Sequence, residues 1–341
     1  MSIYYLMEEK NNQPGALISV VIPTFNQKPK FLSECIESVI NQAYDNIEII
    51  IADNHSTNGT DIMIAAYASR DKRIRLVMPD KHLTLAENFA FAATHVKTPY
   101  LSFLSSDDWV YPDWLSNMMP GVINNDVVWA YGEIEATDIT LKKINYVYRK
   151  MLLPTGVYPA RESFNRFITL VECGWMVGDI IKTSTYFDVG GIIHKDITYC
   201  SDFALAFKLH EKGNVYYLNT IVAKNRQWFL QDGKVDSNRS VKEIADFAYI
   251  YEIAEKSKIL NSFLPQGQTT IEQWRKYYSI VFAKILIIDF AEKRTDKADR
   301  DLAAKNIMQL HSSLAVRIYL MISRNQYLCS WFYSIYKRIK K

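Results

Sequence analysis

The feature that most constrains this chain is an alternation that begins at Leu17, in which short β-branched runs are each followed by a stretch of helical periodicity. LISVVI (17–22) reads as a buried strand. PKFLSECIESVINQ comes next, with Phe31, Leu32, Cys35, Ile36, Val39 and Ile40 on one helical face and Pro29 suited to the first turn. IEIIIA (47–52), IRLVM (74–78) and YLSFL (100–104) repeat the strand signal. They are separated by a helix from about Thr60 and by LAENFAFAATHV, where Leu85, Phe89, Ala92 and Val96 align. Such alternation predicts an α/β fold whose mostly parallel sheet is covered by helices on both faces.

Beyond Trp109 the pattern is mixed. VVWAYGEIEAT reads as a strand, Asp202 to Lys212 as a helix and VYYL (215–218) as another strand. Polar and small residues from Asp232 to Ser240 mark a boundary, after which the periodicity is helical: Ile244, Phe247, Tyr251 and Ala254 share one face, and Trp274, Tyr277, Val281 and Leu286 another. The expected organisation is a tail (1–16), an α/β domain (17–232) and an α-helical C-terminal domain (233–341).

Charge and cysteine usage narrow the function classes. With 40 Lys+Arg against 37 Asp+Glu the net charge is +3, too small for a chain built to coat nucleic acid. The distribution is uneven, because after Asp301 there are seven Lys or Arg and no acidic residue. The four cysteines lack C-x-x-C spacing or a disulfide framework, so reduced thiols are expected. No signal peptide and no uncharged run of membrane-spanning length is seen, which gives the expectation of a chain neither secreted nor membrane-spanning. The terminus SLAVRIYLMISRNQYLCSWFYSIYKRIKK sets Trp331, Phe332, Ile335 and Ile339 in a helical stripe among basic residues, the composition of a helix lying in an anionic interface. A helix packed on the protein with its cations in water is the other reading.

Open α/β sheets bind ligands at the carboxyl ends of their strands. The residues to interrogate are therefore Thr24 to Asn26, Asp53 to Ser56, Pro79 to His82 and Ser105 to Asp108. SSDDW carries the sharpest signal. Two adjacent carboxylates after an apolar strand call for a cation, and a divalent ion with oxygen ligands is one resolution; a turn or helix cap is the other. Six histidines without H-x-x-x-H or Cys/His clustering do not indicate zinc, and Gly190-Gly191 reads as a turn rather than a phosphate cradle.

ISVVIPTFN, EIIIADNHSTNGT, LAENFAFA and YLSFLSSDDW, in this order and spacing, resemble the nucleotide-binding half of the inverting glycosyltransferases of family 2, which have the GT-A fold. The resemblance covers about residues 17 to 230. It implies that Pro23, Thr24, Phe25 and Asn26 line the nucleobase pocket, that Asp53 reads the base and that Asn88 lies on the donor side. It further implies that Asp107 touches the ribose or donor sugar and that Asp108 holds a divalent metal, Mg or Mn. STYFDVGGIIHKDITYCSDFALAF resembles the acceptor-side segment, which makes Asp202 the general base; Asp179, just before it, is a further candidate to face donor sugar or acceptor.

The chain departs from the family pattern at Asn54-His55, where many members have Asp-Gly, at Glu87, where many have arginine, and at Trp228, where a histidine often stands. The implied function is metal-dependent inverting transfer from a nucleotide-sugar donor, UDP-linked, to a hydroxyl of a growing bacterial surface glycan such as O-antigen, capsule or lipopolysaccharide. The acceptor would be a glycan or lipid-linked glycan, met at the cytoplasmic face of the inner membrane by a peripheral enzyme, and the aromatic-rich helical domain could support a homo-oligomer. The rival readings are a non-catalytic scaffold of the same fold and a sugar-nucleotide pyrophosphorylase; PTFNQKPK lacks the glycines of the latter.

Overall fold

The computed structural model describes residues 16–123, 126–148, 153–169, 176–193, 197, 200–226, 239–263, 270–291 and 296–339. β1 (Ile18–Thr24), α1 (Pro29–Ile40), β2 (Ile47–Asp53), α2 (Thr60–Arg70), β3 (Ile74–Val77), α3 (Leu85–Thr94) and β4 (Tyr100–Phe103) realise the alternation read from the sequence. β5 (Trp109–Val110), α4 (Trp114–Val122), β6 (Val127–Thr137), β7 (Lys143–Tyr148), β8 (Gly156–Tyr158), α5 (Ala160–Thr169), β9 (Ile180–Lys182), α6 (Thr183–Asp188), α7 (Ser201–His210) and β10 (Asn214–Arg226) complete the α/β region. The sheet runs β3-β2-β1-β4-β9-β6-β10-β5, with β7 added to β6 and β8 to β10.

The pairing is parallel among β3, β2, β1 and β4, as strand–helix alternation dictates, and parallel again between β6 and β10. Between these blocks β9 is antiparallel to both neighbours, so the sheet is mixed beyond β4. β1 feeds β2 on one side and borders β4 on the other, and this reversal of strand order opens a crevice at their carboxyl ends.

Period-2 alternation explains the two-sided core. Val20 and Ile22 of β1 face the layer formed by Leu32, Cys35 and Ile36 of α1 together with Trp114 and Leu115 of α4. Val21, Ile50 and Phe103 face the opposite layer, which is continuous through Phe207 of α7 into the helical region at Ile244, Phe247, Tyr278 and Ile307. That region comprises α8 (Arg239–Lys256), α9 (Lys258–Phe263), α10 (Thr270–Ala291), α11 (Lys297–Leu310), α12 (Leu314–Ser323) and α13 (Gln326–Ile339). Ile244 and Phe247 are buried as expected, whereas on α10 it is Tyr278 that enters the core and Tyr277 that stays exposed. The boundary read at Asp232 lies outside the described residues, as do Trp228 and the tail 1–15.

VYYL proves to be the start of a thirteen-residue strand. The exposed Asn219-Thr220 pair has the composition of a turn, yet the register against β6 shifts between Leu218 and Ile221, and the strand continues through a bulge. Gly190 and Gly191, both at positive φ, close the turn after α6, and a Cβ on Gly191 would stand 3.0 Å from the Tyr186 ring.

His210 lies buried in a nest of Trp129, Phe164 and Phe167. Its Nδ1 bonds the Ala206 carbonyl at 2.7 Å and its Nε2 meets Ser163 Oγ at 3.1 Å. Burial pushes its pKa down to about 4 from 6.5. Between those values the unfolded chain takes up a proton that the folded one refuses. Stability is therefore complete above about pH 6.5 and falls as the pH drops towards 4, by roughly 3 kcal/mol in all. His210→Gln should flatten the melting temperature against pH in that window; parallel wild-type and variant profiles would contradict the assignment.

Candidate active site

The carboxyl ends of β1, β2 and β4 bring together the loops that the sequence singled out. Thr24 is aligned with Asp53, and Val21 with Phe103 five residues before Asp108. Two side chains knit the first two loops. Asn26 Oδ1 accepts from the Thr57 backbone N–H at 2.7 Å, and Ser56 Oγ accepts from the Asn26 N–H at 2.9 Å. Asn54 fastens the third loop, accepting from Leu83 N–H and donating to Leu83 O, each at 2.8 Å. An aspartate there could accept but not donate, so the departure at Asn54 is explained by this two-way clasp. Asn26 (φ 46°) and His55 (φ 63°) both sit in the left-handed region without being glycine, strain of a kind that collects at ligand-binding turns.

Phe25 is 48% exposed, and the His82 ring lies 4.4 Å from it. Together they form an aromatic pair at the strand ends, with their ring planes tilted by 60°. Asp53 is buried, with Ser56 Oγ donating to its Oδ1 at 2.5 Å and Ser56 N–H to its Oδ2 at 3.2 Å. Pro23 and Thr24 are buried at the end of β1, and Thr24 Oγ1 has no hydrogen-bond partner among the described residues. Asn88 is buried too; its Nδ2 donates to Ala52 O at 3.3 Å while its Oδ1 has no such partner. Glu87 is a structural residue: with Thr84 it forms a capping box at the start of α3, and the Thr84 backbone N–H lowers its pKa.

The two aspartates of SSDDW occupy different surroundings. Asp108 is 1% exposed, and its Oδ1 accepts from Arg226 N–H at 2.9 Å and from Asn225 Nδ2 at 3.1 Å. Burial, with Asp107 beside it, pushes its carboxyl well above the usual carboxylate range. Asp107 is half-buried. Neither serves as the cap of α4, whose N-cap is Asp113. The expectation that Asp108 reaches a metal therefore meets a carboxylate turned into the seam with β10, while Asp107 has the exposure such a role requires.

Arg226 organises this seam; the family resemblance sets it in KNRQWF (224–229), where members often carry an arginine, but not the contacts it makes. Its side chain is fully buried, with Nη2 2.7 Å from Glu34 of α1, Nε donating to Asp107 O at 2.9 Å and Nη1 to Ile139 O at 3.0 Å. The guanidinium also stacks 4.0 Å over Phe31. Arg226 thus clamps the backbone of Asp107 from below. The signal that would have found it is the continuation of the strand past the Asn219-Thr220 bulge.

On the acceptor side, Asp202 stands in the first turn of α7, half-buried, its Oδ1 accepting from Phe203 N–H at 2.9 Å. The N-cap is Cys200, which makes no side-chain cap bond, and its N–H is taken at 3.0 Å by Asp246 of α8. Asp202 is thus not needed as a cap. Asp179, by contrast, is buried and accepts from the Trp129 indole N–H at 2.9 Å.

Residues 19–187 match the model of glycosyl transferase family 2. An uncharacterized glycosyltransferase of Rickettsia typhi is 27% identical over 64% of this chain and 66% of its own length. The glycosyltransferase GlyG of Streptococcus pneumoniae is 32% identical over 32% of this chain and 36% of its own length. Among solved structures, S. aureus TarS 1–349 in complex with UDP superposes with a TM-score of 0.65 at 13% identity, covering 92% of this chain and 88% of TarS. The mannosyltransferase PcManGT of Pyrobaculum calidifontis, in complex with GDP-Man and Mn2+, gives 0.55 at 14% identity over 96% and 89%. The chain spans at most about two thirds of the length of these two sequence relatives. Residues 19–187, the larger part of the α/β region, thus carry a glycosyl transferase family 2 domain.

Proposed function

We propose that the protein transfers a sugar from a nucleotide-activated donor, UDP-linked, to a hydroxyl of a growing bacterial surface glycan. The observation that carries this reading is the convergence of the Phe25–His82 pair and the half-buried Asp107 at the carboxyl ends of β1 and β4. Phe25 and His82 would receive the base on an aromatic face. Asn88 Oδ1 and Thr24 Oγ1, buried without partners among the described residues, are polar atoms that bound donor or water would satisfy.

Among the described residues no three His, Cys, Asp or Glu side chains form a metal cage. Mg2+ or Mn2+ is commonly held by one or two carboxylates together with substrate phosphates, and the half-buried Asp107 is the carboxylate that would serve here. When bound, the ion would supply charge neutralisation to the departing diphosphate. Asp108, Asn225 and Arg226 would hold Asp107 in position from beneath. Transfer is then a single displacement. The acceptor oxygen forms a bond to the anomeric carbon as the bond from that carbon to the phosphate oxygen breaks, the electron pair leaves on the diphosphate, and Asp202 takes the acceptor's proton.

The test is release of nucleoside diphosphate from a panel of nucleotide sugars, with and without Mn2+, in the presence of an acceptor-bearing membrane extract. Metal-dependent release from one donor supports the reading and names the donor. Intact donors throughout, with folded protein, would favour the scaffold, and release of pyrophosphate would favour the pyrophosphorylase.

A further inference from the structure

Away from the crevice, α11 and α12 enclose a cleft of about 700 Å³ bordered by Arg300, Asp301, Lys305, Arg317, Met321 and Arg324. Four cations meet one carboxylate there, and that carboxylate is already committed: Asp301 Oδ1 receives Arg300 Nη2 at 2.6 Å. Arg300 itself is buried, stacked over Phe290 at 4.8 Å, and forms the wall. Arg317 donates Nε–H to Ser312 O at 3.1 Å, while Lys305 and Arg324 have no ion-pair partner among the described residues. The end of α12 accounts for one cation, since a helix C-terminus favours positive charge. It does not account for three around a single cavity.

An apolar ridge adjoins the cleft. Leu314, Arg317, Ile318 and Met321 fall at i, i+3, i+4 and i+7 on α12, so they share one face, and Leu314 is 75% and Met321 62% exposed. Arg317 and Met321 belong to both ridge and cleft. On the following helix, α13, Leu328, Trp331 and Ile335 form a second exposed stripe, with Trp331 63% exposed. No described helix is long and apolar enough to cross a membrane.

We infer that this cleft and ridge are a docking site for an anionic bilayer surface, with a lipid headgroup phosphate received among Lys305, Arg317 and Arg324 and the ridge seated at the acyl boundary. Apolar side chains flanked by cations, with an exposed indole, are what such an interface binds. Charge argues against a second copy of the chain as the occupant, because a two-fold contact through this face would set like cations against one another. The inference is independent of the catalytic reading, since it is measured without turnover.

The experiment is flotation of the full chain with phosphatidylcholine vesicles containing 0 to about 30% phosphatidylglycerol. Binding should rise with the anionic lipid, weaken in high salt and fall roughly tenfold or more in the double variant Arg317→Glu/Arg324→Glu, while Lys72→Glu in the α/β region leaves it unchanged. Met321→Ser/Trp331→Ser should weaken it as well, with melting temperature as the folding control for every variant. Millimolar inorganic phosphate should not displace the protein. The inference is overturned by equal binding to neutral and anionic vesicles, by no binding of the folded protein, by displacement with free phosphate, or by a dimer that the same substitutions abolish.

Discussion

Asp107→Asn should lower transfer about a thousandfold while leaving the melting temperature within a degree or two of wild type, and Asp108→Ala should do something different in kind. In the proposed role the half-buried Asp107 would face the diphosphate and contribute to the transition state, where loss of one well-placed charge costs several kcal/mol. Asp108 contributes to the seam. Its removal strands Arg226 N–H and Asn225 Nδ2 without an acceptor, at a cost of about 2–3 kcal/mol in stability. The measurement is kcat beside thermal unfolding for both variants, with Mn2+ titrated against each. If Asp108→Ala kept its stability and lost its metal dependence, while Asp107→Asn kept its activity, the roles would be reversed.

Asp202→Asn should reduce kcat by about a hundredfold to ten-thousandfold, with KM for the donor little changed, since a base acts on the acceptor proton only in the transition state. The helix should survive the change, because Cys200 is the N-cap and Asp246 already satisfies its N–H. Slow hydrolysis of the donor by water should persist in the variant. An active Asp202→Asn enzyme would move the base elsewhere.

β1 and β2 were readable because they are buried on both faces and so appear as nearly continuous apolar runs, with Pro29 marking the helix after β1, while the shorter β3 and β4 were readable from their place in the alternation. The site was readable in outline for the same reason, since strand ends deliver loops and loops deliver ligands. What escaped depends on contacts far apart in sequence. Arg226 meets Glu34 across 192 positions, and no local pattern announces such a clamp. Asp107 and Asp108 are chemically identical neighbours, and only the strand that runs beneath one of them tells them apart. Asn54 and Glu87, departures when set beside a family pattern, are resolved as a clasp and a capping box by bonds to Leu83 and Thr84.

The bond from Asp246 to the Cys200 N–H has a bearing on how such chains can be recombined. α7 carries Asp202, yet its first turn is held by a side chain of the helical region, and one apolar layer runs from Val21 through Phe207 to Ile307 without a break. Grafting the helical half of a relative onto this α/β region would therefore also replace the seat of the proposed base. Chimaeras meant to exchange acceptor preference alone should carry α7 and α8 together as a single exchangeable block.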